Sequence, residues 1–362
     1  MLDSYLFRVF IIPSAVFLSV VFGGSYGTGR EVMEFISRHG PVGGLIAIAE
    51  VVITYSVLLF ATFELGRKFQ QFEYRGFFQR LLGRFWFLYE VVILIGMVIT
   101  LAVCTTASGA IAESRFSLPT WVGSGALLLI VFVLTYQGRA LVDKTMIMAV
   151  LALAAILVAL LFQLAGEPAR QISHAFASEP VVWDAWQGGA QYALVNGGFI
   201  PLLLYCARGV QTRGQAGMAA VCAASVAVLP GLVFHYAFMS AYPAITEEQL
   251  PAYQLMSTVG SPLFLNIYIV VLFVLIAQTG VGMLQGFLER IDSWHLQRFE
   301  RPLNHLGHGL VAVGMVCASM TLGSMGIIAL IIAGYSILAA SFILVFAVPL
   351  LTRGIWLIFR QD

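Results

Sequence analysis

Long apolar runs, broken by short polar connections, dominate the pattern along the chain. Crossing the hydrocarbon core as a helix takes about 20 apolar residues, and ten stretches approach that length: 6–38, 42–65, 85–112, 119–136, 142–165, 185–212, 216–240, 260–289, 306–322 and 326–351. Each predicts a helix, with no period-two alternation to suggest strands. The first stretch lacks an A-x-A-like cleavage site and runs straight into a glycine-rich segment, so it reads as a first span and not as a signal peptide. The longest connections, 166–184 and 241–257, are candidate lids over an outer vestibule, or ordinary loops.

Two of the ten stretches are interrupted. Phe22-Gly23-Gly24-Ser25-Tyr26-Gly27-Thr28-Gly29-Arg30-Glu31 places four glycines in seven residues where a lipid-facing helix would be continuous. Each glycine costs a helix interior about 1 kcal/mol relative to alanine. The sixth stretch repeats the feature with Tyr192-Ala193-Leu194-Val195-Asn196-Gly197-Gly198-Phe199-Ile200-Pro201. Backbone groups freed within a membrane must be satisfied by protein, water or ligand. Matched interruptions in the first helix of each five-helix half point to an inverted-repeat transporter and its binding site. The expected half-helix amino ends near Gly27 to Arg30 and near Gly198 would offer N–H groups to an anionic ligand group. The carboxyl ends near Gly23 and Asn196 would offer carbonyls to a cation.

Composition agrees with an integral membrane protein. Of 362 residues, 60% are hydrophobic and only 10% charged, against about 25% charged in soluble domains. The net charge of +1 gives no basic footprint for nucleic acid. With the amino terminus in the cytoplasm, fifteen Lys and Arg residues fall inside and only Arg30, Arg38, Arg115 and Arg170 outside. That asymmetry obeys the positive-inside rule for an even number of spans and predicts a multi-pass protein of the cell membrane with both termini cytoplasmic. Cys104, Cys206, Cys222 and Cys317 all lie in apolar stretches and read as packed thiols.

Candidate chemistry is sparse. Gly24 to Gly29 has the glycine spacing of a phosphate loop, but Arg30 and Glu31 replace its Lys and Ser/Thr, and it follows an apolar helix instead of a strand. Ionisable groups inside a span are functional candidates because they are expensive there. Glu50 is the clearest, near mid-depth in the second stretch: it is a carboxyl paired with another helix for packing or, since apolar burial disfavours its charge, a proton carrier. Arg30 and Glu34 share a helical face, which suits a structural or gating role or, as the alternative, direct substrate contact. Glu90 lies near the cytoplasmic end of the third stretch with Arg84 as its nearest candidate partner, and His235 reads as a satisfied core histidine. His305 and His308 lack further metal ligands, so no metal site and no cofactor are expected. On the third stretch Cys104, Thr105, Thr106 and Ser108 suit either helix packing or site lining. Tyr26, Tyr192 and Phe199 are candidate ligand walls, and no catalytic signature occurs.

The segment Gly23-Gly24-Ser25-Tyr26-Gly27-Thr28-Gly29-Arg30-Glu31 resembles the G-A-G-F-A-S-G-Q-E segment of the YkvI-like family of bacterial membrane proteins. That family looks like a branch of the amino acid, polyamine and organocation superfamily. The resemblance implies a single domain with the LeuT-type five-plus-five inverted repeat, its first repeat at about 6–165 and its second at about 185–352. It implies a secondary transporter whose first and sixth helices line the substrate site and whose third and eighth complete it. The residues this assigns to substrate are Gly23, Gly24, Ser25, Tyr26, Gly27, Thr28, Gly29, Thr105, Tyr192, Asn196, Gly197, Gly198 and Phe199. In sodium-coupled relatives a cation sits between the first break and a Thr/Ser pair on the eighth helix. Here Thr279 stands in the matching stretch, but Gln278 replaces the small hydroxyl. Candidates for ion coupling, to H+ or Na+, are therefore Glu31, Glu50, Gln278 and Thr279. The expected substrate is a small polar or zwitterionic metabolite, such as an amino acid or related amine. A channel, or a receptor that binds without transporting, fits the same bundle.

Overall fold

The computed structural model describes residues 7–137 and 139–360, and among them every regular element is helical. The helices are α1 (Ile12–Val21), α2 (Gly24–Gly27), α3 (Arg30–Phe35), α4 (Gly40–Phe69), α5 (Tyr74–Leu82), α6 (Phe87–Phe116), α7 (Thr120–Gln137) and α8 (Arg139–Gln163). They continue with α9 (Glu167–Ser178), α10 (Trp186–Gly197), α11 (Arg213–Phe238), α12 (Pro251–Val259), α13 (Pro262–Phe299), α14 (His305–Gly323), α15 (Ile327–Phe342) and α16 (Ile355–Phe359).

Each of the ten apolar stretches coincides with helix, yet not each is a straight span. Six helical runs among the described residues are long and apolar enough to cross a membrane, and two sharply bent pairs raise this to eight. Phe7–Val21 and Thr120–Thr135 are shorter apolar helices. The expected single first span is replaced by α1, α2 and α3, and α3 passes into α4 through the short 3-10 turn Ser37–His39. Both long connections carry helices: α9 turns 85° from the end of α8, and α12 occupies the second.

Local chemistry sets the helix starts. Thr212 and Gln215 form a reciprocal capping box at α11, Ser261 accepts the Phe264 amide ahead of Pro262 in α13, and Asn304 caps α14 through the Gly307 amide. These side chains satisfy amides that have no partner in the first turn. Glycines let α6 and α7 approach closely around Gly109 and Gly123, where Ser108 donates to the Gly123 carbonyl (3.0 Å) and Ser124 to the Thr105 carbonyl (2.9 Å). Small residues with hydroxyl cross-links are a usual solution where no hydrophobic force separates protein from solvent.

Packing between the two halves of the chain is reciprocal. Helix α1 packs on α11, and α10 on α4; α7 packs on α13, and α14 on α6; α8 packs on α13, and α15 on α6. The pairs α4 with α11 and α6 with α13 meet directly. At one end of the bundle the fully buried Glu64 is bound by Arg67 (2.7 Å) and Arg213 (3.2 Å), and Lys68 caps the last carbonyls of α16. Cys104 and Cys206 are buried as expected, but Cys222 and Cys317 are exposed, because their helix faces turn outward from the bundle.

Candidate functional site

The first break is built from a chain of small residues. Past α1 the Phe22 amide closes on Leu18, and the Gly27 amide reaches back to the Gly23 carbonyl (3.3 Å). Gly29 then takes φ 75°, and a Cβ there would meet Ala252 and the Phe238 ring, so the position calls for glycine on conformation and on space. The Gly29 amide donates to the Tyr26 carbonyl (2.9 Å), and the Arg30 amide to the Thr28 hydroxyl (3.2 Å). That leaves the Gly27 carbonyl for the Tyr268 hydroxyl of α13 (2.8 Å). The Thr28 carbonyl accepts the Ala252 amide at the start of α12 (3.1 Å). Gly24 and Ser25 form α2, but the Ser25 side chain lies outside the described residues.

At the second break the chain turns 69° between Trp183–Gly197 and the 3-10 helix Ile200–Gly209. The Gly198 amide bonds to Leu194 (3.0 Å) and the Phe199 amide to Asn196 (3.2 Å), while the Asn196 side chain donates to Tyr192 of its own helix (3.2 Å). Gly197 packs against Leu58. Pro201 has no amide to offer the Gly198 carbonyl three residues back; the Tyr89 hydroxyl of α6 supplies the bond instead (2.9 Å). These bonds correct the sequence expectation of unused amides at Gly27 to Arg30 and at Gly198: the tight turns consume the amides of Gly27, Gly29, Arg30, Gly198 and Phe199, and tyrosines bind the strained carbonyls.

Between the breaks lies a cavity of about 290 Å³. Its walls come from α1 and the first break (Ser19, Val20, Phe22, Gly23), from the second break (Phe199, Leu202), from Met97 of α6, and from Leu275, Gln278, Thr279, Gly282 and Met283 of α13. Thr279 Oγ1 stands 3.4 Å from where a Cβ on Gly23 would sit. The lining is apolar apart from Ser19, Gln278 and Thr279. The cavity adjoins a vestibule of about 450 Å³ at Leu202, and that vestibule carries Tyr74, Arg75, Arg208, Glu289 and Arg290. Along α13, Tyr268 meets the first break, Thr279 faces the cavity and Gly286 reaches the vestibule, so the opening lies on the α1 side of the break.

At the vestibule, Glu90 does not pair with Arg84 as its sequence neighbourhood suggested. It accepts from Tyr74 (2.6 Å), Arg75 (3.2 Å) and Arg290 (2.9 Å), because α5 folds back across α6 while Arg84 lies over Phe85. Burial pushes the Tyr74 hydroxyl above its ordinary pKa against the opposing pull of Arg290, which keeps it a donor to Glu90.

Beyond the break the charged residues of α3 are buried against neighbouring elements. Arg30 is buried and donates to the carbonyls of Thr246 and Glu248 (2.8 Å each) and to Glu34; Glu34 also binds Arg38. Glu31 is 1% exposed and accepts from the Tyr335 hydroxyl of α15 (2.5 Å). Tyr26, Tyr55 and Tyr192 are buried, and the hydroxyls of Tyr55 and Tyr192 have no hydrogen-bond partner. An orphan hydroxyl costs about 1–3 kcal/mol, and neither Tyr55 nor Tyr192 lines the cavity between the breaks.

Two sequence candidates stand apart from this centre. Glu50 is half-buried and holds Thr54 of its own helix (2.8 Å), on a side of α4 shared with exposed Ile53 and Val57. Thr105 bonds back to Leu101 (2.7 Å) and its carbonyl receives Ser124, so it serves the α6–α7 contact. His235 is the satisfied core histidine expected, between Ser37 and Pro41. Tyr55, Tyr89, Tyr268, Tyr335, Met97 and Met283 were not singled out from the sequence.

No family model matches the chain, and no curated protein matches its sequence. Its fold is similar to that of solved structures of a manganese transporter from Eremococcus coleocola. The crystal structure with an aromatic bis-isothiourea compound aligns at a TM-score of 0.52 with 12% identity, covering 94% of this chain and 77% of the other. A histidine-to-alanine variant aligns at 0.53 with the same identity and coverage. The chain is therefore a multi-pass helical membrane protein whose fold is shared with transporters.

Proposed function

We propose that this protein is a secondary active transporter that moves a small polar or zwitterionic metabolite by alternating access. The observation that carries the reading is the cavity bounded by both broken helices and by α6 and α13, joined to a vestibule on one side. With the amino terminus inside, as the distribution of positive charge favours, the vestibule faces the cytoplasm and the state is inward-facing. The two halves are read as inverted repeats of the LeuT type, supported by the reciprocal packing and by Tyr89 and Tyr268, each reaching from the third helix of one half to the broken helix of the other. A cavity of about 290 Å³ sits at the lower edge of pockets that hold drug-sized ligands, and its lining lacks a charged side chain. A solute neutral overall, with an amino acid or related amine as the first choice, fits that lining.

The second reading is a divalent cation, favoured by the manganese transporter whose solved structures share the fold. Met97 and Met283 bring thioethers to the cavity, but among the described residues no three of His, Cys, Asp and Glu converge on a metal-sized site.

The test is a thermal shift of the detergent-purified protein against amino acids, amines, betaines and manganese(II), with and without sodium, followed by uptake into proteoliposomes. A solute at a hundred times its Kd stabilises by about 2.7 kcal/mol. Shift and uptake of an organic solute, both lost in Thr279→Val, support the proposal. Uptake of manganese(II) alone supports the second reading, selective flux without saturation indicates a channel, and binding without uptake indicates a receptor.

A further inference from the structure

We propose that a basic cavity at the meeting of α4, α11 and α16 binds the phosphate of an anionic membrane lipid, an inference that needs the membrane placement of the chain and not the transport reading. The cavity, of about 540 Å³, is lined by Arg67 and Lys68 of α4, by Arg213 of α11 and by Ile358 and Phe359 of α16 with the following Arg360, around the buried Glu64. Shared acceptors link the four cations. Arg67 and Arg213 both donate to Oε1 of Glu64 (2.7 and 3.2 Å). Arg213 and Lys68 both donate to the Ile358 carbonyl (3.3 and 3.4 Å), and Lys68 reaches the Arg360 carbonyl as well (2.7 Å).

Charge in this cluster is unbalanced. Four cations line the cavity with one carboxylate, which leaves three positive charges. The carbonyl end of α16 offsets about half a charge, while the last turn of α4 and the first of α11 meet with opposite signs and cancel. About 2.5 positive charges therefore remain. Neighbouring cations share an acceptor, so they lie within a Debye length of about 8 Å and repel one another with little screening. Glu64 is 0% exposed, whereas the Arg67 and Arg213 side chains are 25% and 47% exposed, which puts the surplus on the open side of the cavity. An anion entering there relieves the repulsion, and phosphate oxygens match the fork of an arginine.

Position favours a lipid over a soluble anion. Arg213 lies over the Phe359 ring (4.6 Å) and Arg360 over the Trp356 ring (4.9 Å), and the two aromatic residues are 60% and 55% exposed. Exposed aromatics at the end of a membrane helix belong at the border of lipid and water, so the cations they carry stand at the depth of the headgroups. Basic pockets between membrane helices hold anionic headgroups on the cytoplasmic side, and the orientation proposed above puts this cavity in that leaflet. Bound there, the phosphate bridges α4 of the first half of the chain to α11 and α16 of the second.

Melting of the detergent-purified full chain, titrated with dioctanoyl phosphatidylglycerol, dioctanoyl phosphatidylcholine or inorganic phosphate, tests the assignment. The glycerol lipid is expected to raise Tm as its concentration rises, and the choline lipid, with no net charge, to leave Tm unchanged. Each Lys or Arg near an anionic headgroup is worth about fivefold in affinity. Arg360→Gln is therefore expected to weaken binding about fivefold, and Arg213→Gln combined with it about 25-fold. The Arg360 side chain is exposed and lies on the Trp356 ring, so its single variant gives a reading even if the double variant folds poorly. Arg84→Gln removes an exposed cation that does not line the cavity and is expected to bind as wild type does. Equal shifts from the two lipids, wild-type affinity in Arg360→Gln, or an equal loss in Arg84→Gln overturns the proposal. A shift from inorganic phosphate that matches the glycerol lipid at the same concentration overturns the lipid as occupant and assigns the cavity to a soluble phosphate.

Discussion

Replacing Tyr89 or Tyr268 by phenylalanine removes one oxygen from a fully buried ring and leaves the shape of the site unchanged. Each hydroxyl is the donor to a carbonyl at a broken helix, at 2.9 Å for Gly198 and 2.8 Å for Gly27. Neither carbonyl has a ready replacement: Pro201 lacks an amide, and the Arg30 amide is committed to Thr28. The cost is that of a buried acceptor left unpaired, about 1–3 kcal/mol per site, or a fall in Tm of about 2–6 °C for a chain of this size. The two sites share no partner, so the double variant is expected to add the single effects to within about 0.5 kcal/mol. Tyr55→Phe is the matched control, because its hydroxyl has no partner to lose and its removal is neutral or stabilising. The assay is tryptophan-fluorescence melting of the purified protein in one detergent. If Tyr55→Phe loses as much as Tyr89→Phe, or if Tyr89→Phe and Tyr268→Phe melt with wild type, the argument that tyrosines complete the broken helices is wrong.

Two further outcomes follow from the charged residues. Arg30→Gln loses charge-assisted bonds to the 246–248 loop, and cleavage by a glutamyl endopeptidase at Glu247 or Glu248 is expected to quicken at least about tenfold, since proteolysis tracks local opening; an unchanged rate would show that the loop is held by α12 alone. Glu64→Gln leaves Arg67 and Arg213 without their buried carboxylate and is expected to destabilise by about 2–3 kcal/mol, below the usual loss for a broken buried pair because both arginines are partly solvated, as measured by denaturant-dependent fluorescence.

The sequence made the breaks legible because glycine and proline act locally: Gly23 to Gly29 and Gly197 to Pro201 announce an interruption whatever surrounds them. It made the apolar stretches legible for the same reason. That Glu50 lies within an apolar helix was readable, but its azimuth was not, and the side of α4 it occupies separates it from the cavity. Arg30 and Glu34 pair as their spacing suggested, whereas Glu90 draws its partners from α5 and from Arg290 of α13, 200 residues away. Tyr89, Tyr268 and Tyr335 left no local signal, since an aromatic in an apolar run is usually packing and each acts on a group more than 100 residues distant. The amide bonds within each break were hidden too, because composition shows that a helix is interrupted and not how tightly the chain turns.

The crossed tyrosines mean that neither irregular stretch is completed by its own segment alone. Gly27 is held in shape by a ring from residue 268, and Gly198 by one from residue 89, so each half acts as the mould in which the other sets. Synthesised first, the amino-terminal half has no Tyr268 to bind, and its Gly27 carbonyl waits for that donor until the later helices arrive. Severed between residues 166 and 184 and expressed as two pieces, the chain would regain both tyrosine bonds only where the pieces meet again in one bilayer.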